Sequence, residues 1–153
     1  MYRIVCRVVL FVVVVVGFLS ACRHDVDYES VRSRLDGRYG LVDRRNVLTG
    51  PGSANEVYCG RLIITTSADG RVVLSGIIEA EGELVGRNIR IPPFTVNAGD
   101  GTSLLYSFGI LEADSDLYVV SGDYSVSGTV MNPFGDVVDY VASGEVEGRK
   151  ISR

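Results

Sequence analysis

The chain has 153 residues, 15 basic and 19 acidic, for a formal charge of −4, with one histidine, three cysteines and no tryptophan. An acidic chain of this kind gains nothing from phosphate neutralisation, which excludes nucleic acid as an expected partner. The single histidine, His24, leaves no imidazole for a scaffold-held catalytic triad or a histidine zinc site.

The N-terminus has the layout of an export signal. Arg3 and Arg7 give a short positive segment, and Val8 to Phe18 follow as eleven uncharged residues interrupted only by Gly17. Such a run falls short of the roughly 20 apolar residues a spanning helix requires, and it ends in the small residues Ser20-Ala21 as a cleaved signal does. Leu19-Ser20-Ala21-Cys22 resembles the lipobox of bacterial lipoproteins. The resemblance covers residues 1–22 and implies cleavage before Cys22, a diacylglycerol thioether on its sulfur and an N-acyl chain such as palmitate. Two or more acyl chains hold a protein firmly at a membrane, at about 0.8 kcal/mol per buried methylene. The alternative is an ordinary signal peptide with Cys22 present by coincidence. Arg23 follows the cysteine; the lack of an aspartate there points toward the outer membrane of a cell envelope.

The expected organisation is therefore a signal peptide over 1–21, a lipidated tether over 22–34, and a single all-β domain over 35–153. Losing Arg3 and Arg7 with the signal leaves 13 basic against 19 acidic residues, a formal charge of −6. Cys6 leaves as well and Cys22 is the lipidation site, so Cys59 has no intramolecular disulfide partner; beside Tyr58, at the start of an apolar segment, it reads as a buried thiol. Arg44-Arg45 and Arg149-Lys150 are the only adjacent basic pairs and read as solvated charge. The polar stretch Arg23 to Glu29, seven or eight residues, reaches at most about 28 Å, and Tyr28 to Asp36 suits either a short helix, with Val31 and Leu35 four residues apart and Gly37 as its stop, or a continuation of the tether.

From Gly37 onward glycines punctuate segments rich in valine, isoleucine and tyrosine; they make up 17 of the 132 residues left after the signal, about twice the usual share. The predicted strands are Arg38–Asp43, Val57–Thr66, Arg71–Ile78, Leu84–Ile91, Phe94–Val96, Leu104–Leu111, Leu117–Val120, Asp123–Met131, Val137–Ser143 and Glu145–Ile151. Asp69-Gly70, Asp100-Gly101 and Asn132-Pro133-Phe134-Gly135 are turn signals. Tyr124, Val126 and Val130 alternate with Ser125, Ser127 and Thr129, the pattern of an antiparallel strand with one wet face. No helical period persists after residue 40, so crossover helices for a parallel sheet are lacking. A small antiparallel β-barrel or a β-sandwich follows.

Gly37-Arg38-Tyr39, at the start of the first strand, resembles the Gly-x-Trp opening of lipocalin- or calycin-like barrels, with tyrosine in place of tryptophan. The resemblance implies a ring that closes one end of the barrel against a basic residue of the last strand, here Arg149, and a cavity for a small apolar ligand.

Enzymatic chemistry finds little support. The only lysine is Lys150, and no phosphate-binding glycine loop is present. No catalytic residue, cofactor or metal site is assigned. Glu79, Glu81 and Glu83 would share a face on a straight strand; a cation site or a glycosidase acid pair is conceivable on that basis, but a charged edge or a polar hairpin with Gly82 in its turn is the plainer reading. Asp114-Ser115-Asp116 lacks the rest of a calcium loop and reads as a turn. Tyr106, Phe108, Tyr118, Tyr124, Phe134 and Tyr140 would mostly fill or close a barrel, a minority lining a ligand pocket or a protein-binding rim; Phe134 reads as folded back over the core or, alternatively, as a partner contact. The function expected is that of a non-enzymatic, membrane-anchored lipoprotein binding a small apolar or amphipathic ligand, or alternatively of a lipoprotein docking an envelope protein.

Overall fold

The computed structural model describes residues 27–52 and 54–152. Cys22, His24 and the signal segment lie outside the described residues. Helix α1 (Tyr28–Leu35) begins at Asp27, whose side chain accepts a hydrogen bond from the Ser30 amide, and buries Val31 and Leu35. Ten strands follow: β1 (Gly37–Thr49), β2 (Asn55–Thr66), β3 (Arg71–Gly76), β4 (Ala80–Val85), β5 (Asn88–Arg90), β6 (Phe94–Asn97), β7 (Ser103–Phe108), β8 (Ile110–Ala113), β9 (Val119–Met131) and β10 (Val137–Ser152).

All pairings are antiparallel, and β10 pairs with both β9 and β1, which closes the sheet on itself. β7 and β8 pair with successive stretches of β9, so the two act as one wall strand broken at Gly109. β5 and β6 pair with β8 and β7 and act as another, broken over Ile91-Pro92-Pro93. The result is an eight-stranded, up-and-down barrel, in which the first half of β2 and the whole of β6 are paired on one side only. Of the two all-β architectures the alternation allowed, the barrel is the one formed.

The core follows from period-two alternation. Tyr39, Leu41, Leu62, Ile64, Val72, Leu74, Ile89, Leu111, Val120, Val126, Ala142 and Val146 point inward and are buried. Asp69-Gly70, Asp100-Gly101 and Asn132–Gly135 each stand in a turn between paired strands. Several predicted strand limits are corrected. Leu84–Ile91 is divided because Gly86, at φ +66, turns the chain between Val85 and Asn88, a conformation that glycine adopts without steric cost. β4 begins at Ala80, four residues before the predicted start at Leu84. The segments joined across Ser121-Gly122 and across Gly144 are single strands, because in those positions glycine makes room for a neighbouring side chain rather than ending the ladder. The first strand runs on to Thr49.

Candidate functional site

The two ends of the barrel differ in chemistry. At one end α1 covers the core. The Tyr39 ring is fully buried, and its hydroxyl donates to the Leu35 carbonyl at 2.6 Å and reaches the Leu117 carbonyl at 3.5 Å. Burial, helped by the nearby charges of Asp36 and Asp114, pushes the Tyr39 pKa upward. Leu117 adopts φ +59 in the β8–β9 turn, where the Asp114 carboxylate accepts from the amides of Tyr118 and Val119. That carboxylate is committed to the turn. Asp36 receives both the amide and hydroxyl of Thr66 at 2.6 Å. The basic residue over the Tyr39 ring is Lys150, its Nζ 5.6 Å from the ring centroid and donating to the Arg34 carbonyl. Arg149, the residue expected there, faces out and pairs with Glu147 at 2.9 Å. Adjacent strand residues point to opposite faces, and Tyr39 pairs in register with Lys150.

Toward the other end the interior is hollow. A cavity of about 510 Å³ is lined by Leu41, Asp43, Arg45, Tyr58, Tyr124 and Val146 together with Phe94, Val96, Tyr106 and Phe108, with the segment Gly76–Glu79 also at its wall. β4 pairs with β5 over Glu83–Val85, whereas β6 pairs only with β7. The wall is thus unpaired between Ile77–Glu79 and Phe94–Val96, and the cavity lies behind that gap. The sequence cause is Pro92-Pro93: neither residue has an amide proton to continue the ladder.

Four rings form a continuous aromatic group. Phe94 stacks with Tyr106 and with Phe108, at centroid separations of 5.4 and 6.0 Å and interplanar angles of 8° and 7°. Tyr124 lies 6.0 Å from Tyr106 and 5.1 Å from Phe108. Aromatic pairs at such spacings contribute about 0.5–1.5 kcal/mol beyond burial. Gly144 on β10 lies under the Tyr124 ring, where any side chain would collide with it.

A polar cluster sits against these rings. Arg45 Nη2 lies 3.1 Å from Asp43 Oδ2, Arg45 Nε donates to the Tyr124 hydroxyl at 2.8 Å, and that hydroxyl donates to Asp43 Oδ1 at 2.7 Å. The side chains of Arg45 and Asp43 are only 15% and 10% exposed, so each charge depends on the other for compensation. The Arg45 guanidinium carbon stands 5.2, 5.9 and 5.6 Å from the ring centroids of Tyr58, Tyr106 and Tyr124, within cation–π range. Burial by itself lowers the Arg45 pKa, but hydrogen bonds to Tyr140 and Tyr124 outweigh it and the net shift is upward. Tyr124 is shifted up, first by burial and then by donating to Asp43. Tyr58 is pushed up to about 12, chiefly by its hydrogen bond to Glu56.

This cluster was not singled out in the sequence. Arg44-Arg45 had read as solvated charge; strand alternation instead points Arg44 outward and Arg45 inward. The available signal was the odd-numbered row Tyr39, Leu41, Asp43, Arg45, which continues the buried face of β1. Cys59 is likewise corrected: it is exposed, because on β2 the inward residues are the even-numbered Leu62, Ile64 and Thr66. Phe134, expected to fold back over the core, is 90% exposed at the tip of the β9–β10 turn. Tyr118 is exposed, Tyr106 half-buried, and Phe108, Tyr124 and Tyr140 buried. Glu81 and Glu83 face outward from β4, with Glu83 3.2 Å from Arg90, while Glu79 lies before the strand at the cavity wall. Gly82 pairs with Val72 inside β4 rather than forming a turn. Among the described residues no three acidic, histidine or cysteine side chains are grouped to hold a metal ion.

Comparison with protein-family models, curated proteins and solved structures finds no match to this chain.

Proposed function

We propose that this is a lipid-anchored lipoprotein of a bacterial cell envelope, held through Cys22 and placed at the outer membrane, whose non-enzymatic barrel binds a small apolar or amphipathic ligand. The anchor rests on Leu19-Ser20-Ala21-Cys22 behind the apolar run. The binding function rests on one observation above all, the cavity of about 510 Å³ walled by Phe94, Tyr106, Phe108 and Tyr124 behind an unpaired stretch of the barrel wall. A concave, mostly apolar site with a few convergent polar groups is the usual form of a small-molecule pocket. The likeness to calycin-type barrels is supported by Tyr39, which closes the opposite end beneath Lys150.

Native mass spectrometry of the full-length protein, purified from bacterial membranes, tests both parts. An extra mass lost on denaturation supports ligand binding, and a covalent mass on a chain beginning at Cys22 supports the anchor. A native mass identical to the denatured one, in preparations from several growth conditions, counts against the ligand.

One observation favours the alternative of a lipoprotein docking an envelope protein: Phe134 projects from the β9–β10 turn with 90% of its surface exposed. A photo-crosslinker in place of Phe134 should capture a defined envelope protein in intact cells on that reading. Loss of cross-linking when the probe is moved to Asp69, on another turn, would establish specificity.

A further inference from the structure

The polar groups of the cavity restrict the charge of what it can hold. Three charged side chains line it: Asp43 and Arg45, which pair with each other, and Glu79. A carboxylate placed on Arg45 would have to share the guanidinium with the buried Asp43, and buried like charges disfavour each other strongly. A cationic ligand meets the opposite obstacle. The faces of Tyr58, Tyr106 and Tyr124, which would attract it, are already occupied by Arg45, and a second cation among them would be repelled by the first.

An uncharged group escapes both penalties. A guanidinium has five N–H donors, and the bonds to Tyr124 and Asp43 account for two. Donor capacity therefore remains for a hydroxyl, carbonyl or ester oxygen, and a hydrogen bond from an ionised donor is stronger than a neutral one. Beyond that point the walls are Phe94, Phe108 and Tyr106, whose ring planes are nearly parallel and accept a flat apolar body as a further member of the group.

We infer that the ligand is an uncharged amphipathic molecule, its oxygen acceptor hydrogen-bonded to Arg45 and its apolar body against Phe94 and Phe108, with carboxylates refused by Asp43. The inference rests on the proposal that the cavity is a binding site and adds the charge class of the ligand.

The test uses the full-length protein in lipid nanodiscs, with empty nanodiscs as the blank, titrated calorimetrically at neutral pH with three matched probes: 2-naphthalenemethanol, 2-naphthoate and 2-naphthylmethylamine. The alcohol should bind about tenfold or more tightly than either charged probe, the factor that a modest difference in interaction free energy produces. In Asp43→Asn the naphthoate should gain about tenfold over its wild-type affinity as Arg45 loses its internal counter-ion. Naphthoate or amine matching the alcohol on the wild-type protein overturns the charge assignment and leaves ligand binding standing. An Asp43→Asn protein that folds and still refuses naphthoate also overturns it. Failure of all three probes to bind overturns the cavity as a binding site, and the charge assignment with it. The wild-type comparison decides the question even where the variant does not fold.

Discussion

Tyr124 donates its hydroxyl proton to the Asp43 carboxylate at 2.7 Å across 81 residues of chain, inside a barrel whose other buried residues are almost entirely apolar. The bond ties β9 to β1 over Gly144 of the intervening β10, while Arg45, bonded to both, completes the cluster. An ion pair this buried is destabilising to break because the remaining charge has no water to turn to. Its specific consequence is a fixed polar floor beside four aromatic rings.

Tyr124→Phe keeps the ring and removes the hydroxyl, so Asp43 loses a donor and Arg45 Nε an acceptor. The expected cost is about 1–3 kcal/mol of unfolding free energy, read as a lower urea midpoint at unchanged slope. A variant as stable as wild type would show that the cluster contributes nothing to folding.

Arg45→Met should be costlier, by about 3–5 kcal/mol, since it strands the Asp43 carboxylate in the barrel. Pairing it with Asp43→Asn should restore part of the loss. A double-variant cycle measures the coupling; additive effects of the two substitutions would contradict the contact at 3.1 Å.

Gly144→Ala should destabilise by about 1–3 kcal/mol through overpacking, because the new methyl collides with the Tyr124 ring. Gly99→Ala, with open space around it and no unusual backbone angle, should stay within about 0.5 kcal/mol of wild type. Equal effects in thermal melts would refute the packing of Tyr124 against β10.

Alkaline pH provides a further check. Tyr39, Tyr58 and Tyr124 all have folded-state pKa values above the ordinary tyrosine value of about 10. A group raised on folding contributes stability that is complete below its unfolded pKa and disappears as pH climbs through its folded one. Stability should therefore be flat near neutrality and fall above pH about 10. Tyrosinate absorbance followed beside circular dichroism should show two of the three, the buried Tyr39 and Tyr124, ionising only as the barrel unfolds. Full ionisation with the fold intact would contradict their burial.

Cys59 is exposed on the outer face of β2. A thiol reagent added without denaturant should modify it at a rate close to that of the unfolded chain, since the thiol is already accessible. Protection until unfolding would indicate that something covers this face, which the docking alternative accommodates and the isolated barrel does not.

Much of the architecture was legible in the residues themselves. The alternation of Tyr124 and Val126 with serines, the Asp-Gly turns and the Asn132–Gly135 turn follow from local chemistry, since side-chain period and backbone preference are properties of short segments. Strand limits were less legible where glycine served as clearance rather than punctuation: Gly144 lies mid-strand under Tyr124, whereas Gly86 does end β4.

Local residue patterns alone were enough for an all-β domain with identifiable turns, an apolar run over Val8–Phe18, and a chain holding one histidine, His24, and one lysine, Lys150. Closure of the sheet as β10 meets β1, the placing of Lys150 rather than Arg149 over Tyr39, and the convergence of Asp43, Arg45 and Tyr124 beside a hollow end emerged with the folded barrel. The reason is physical: closure and convergence depend on the register between strands some 80 to 110 residues apart, and no local pattern encodes which distant ring a strand's inward charge will face.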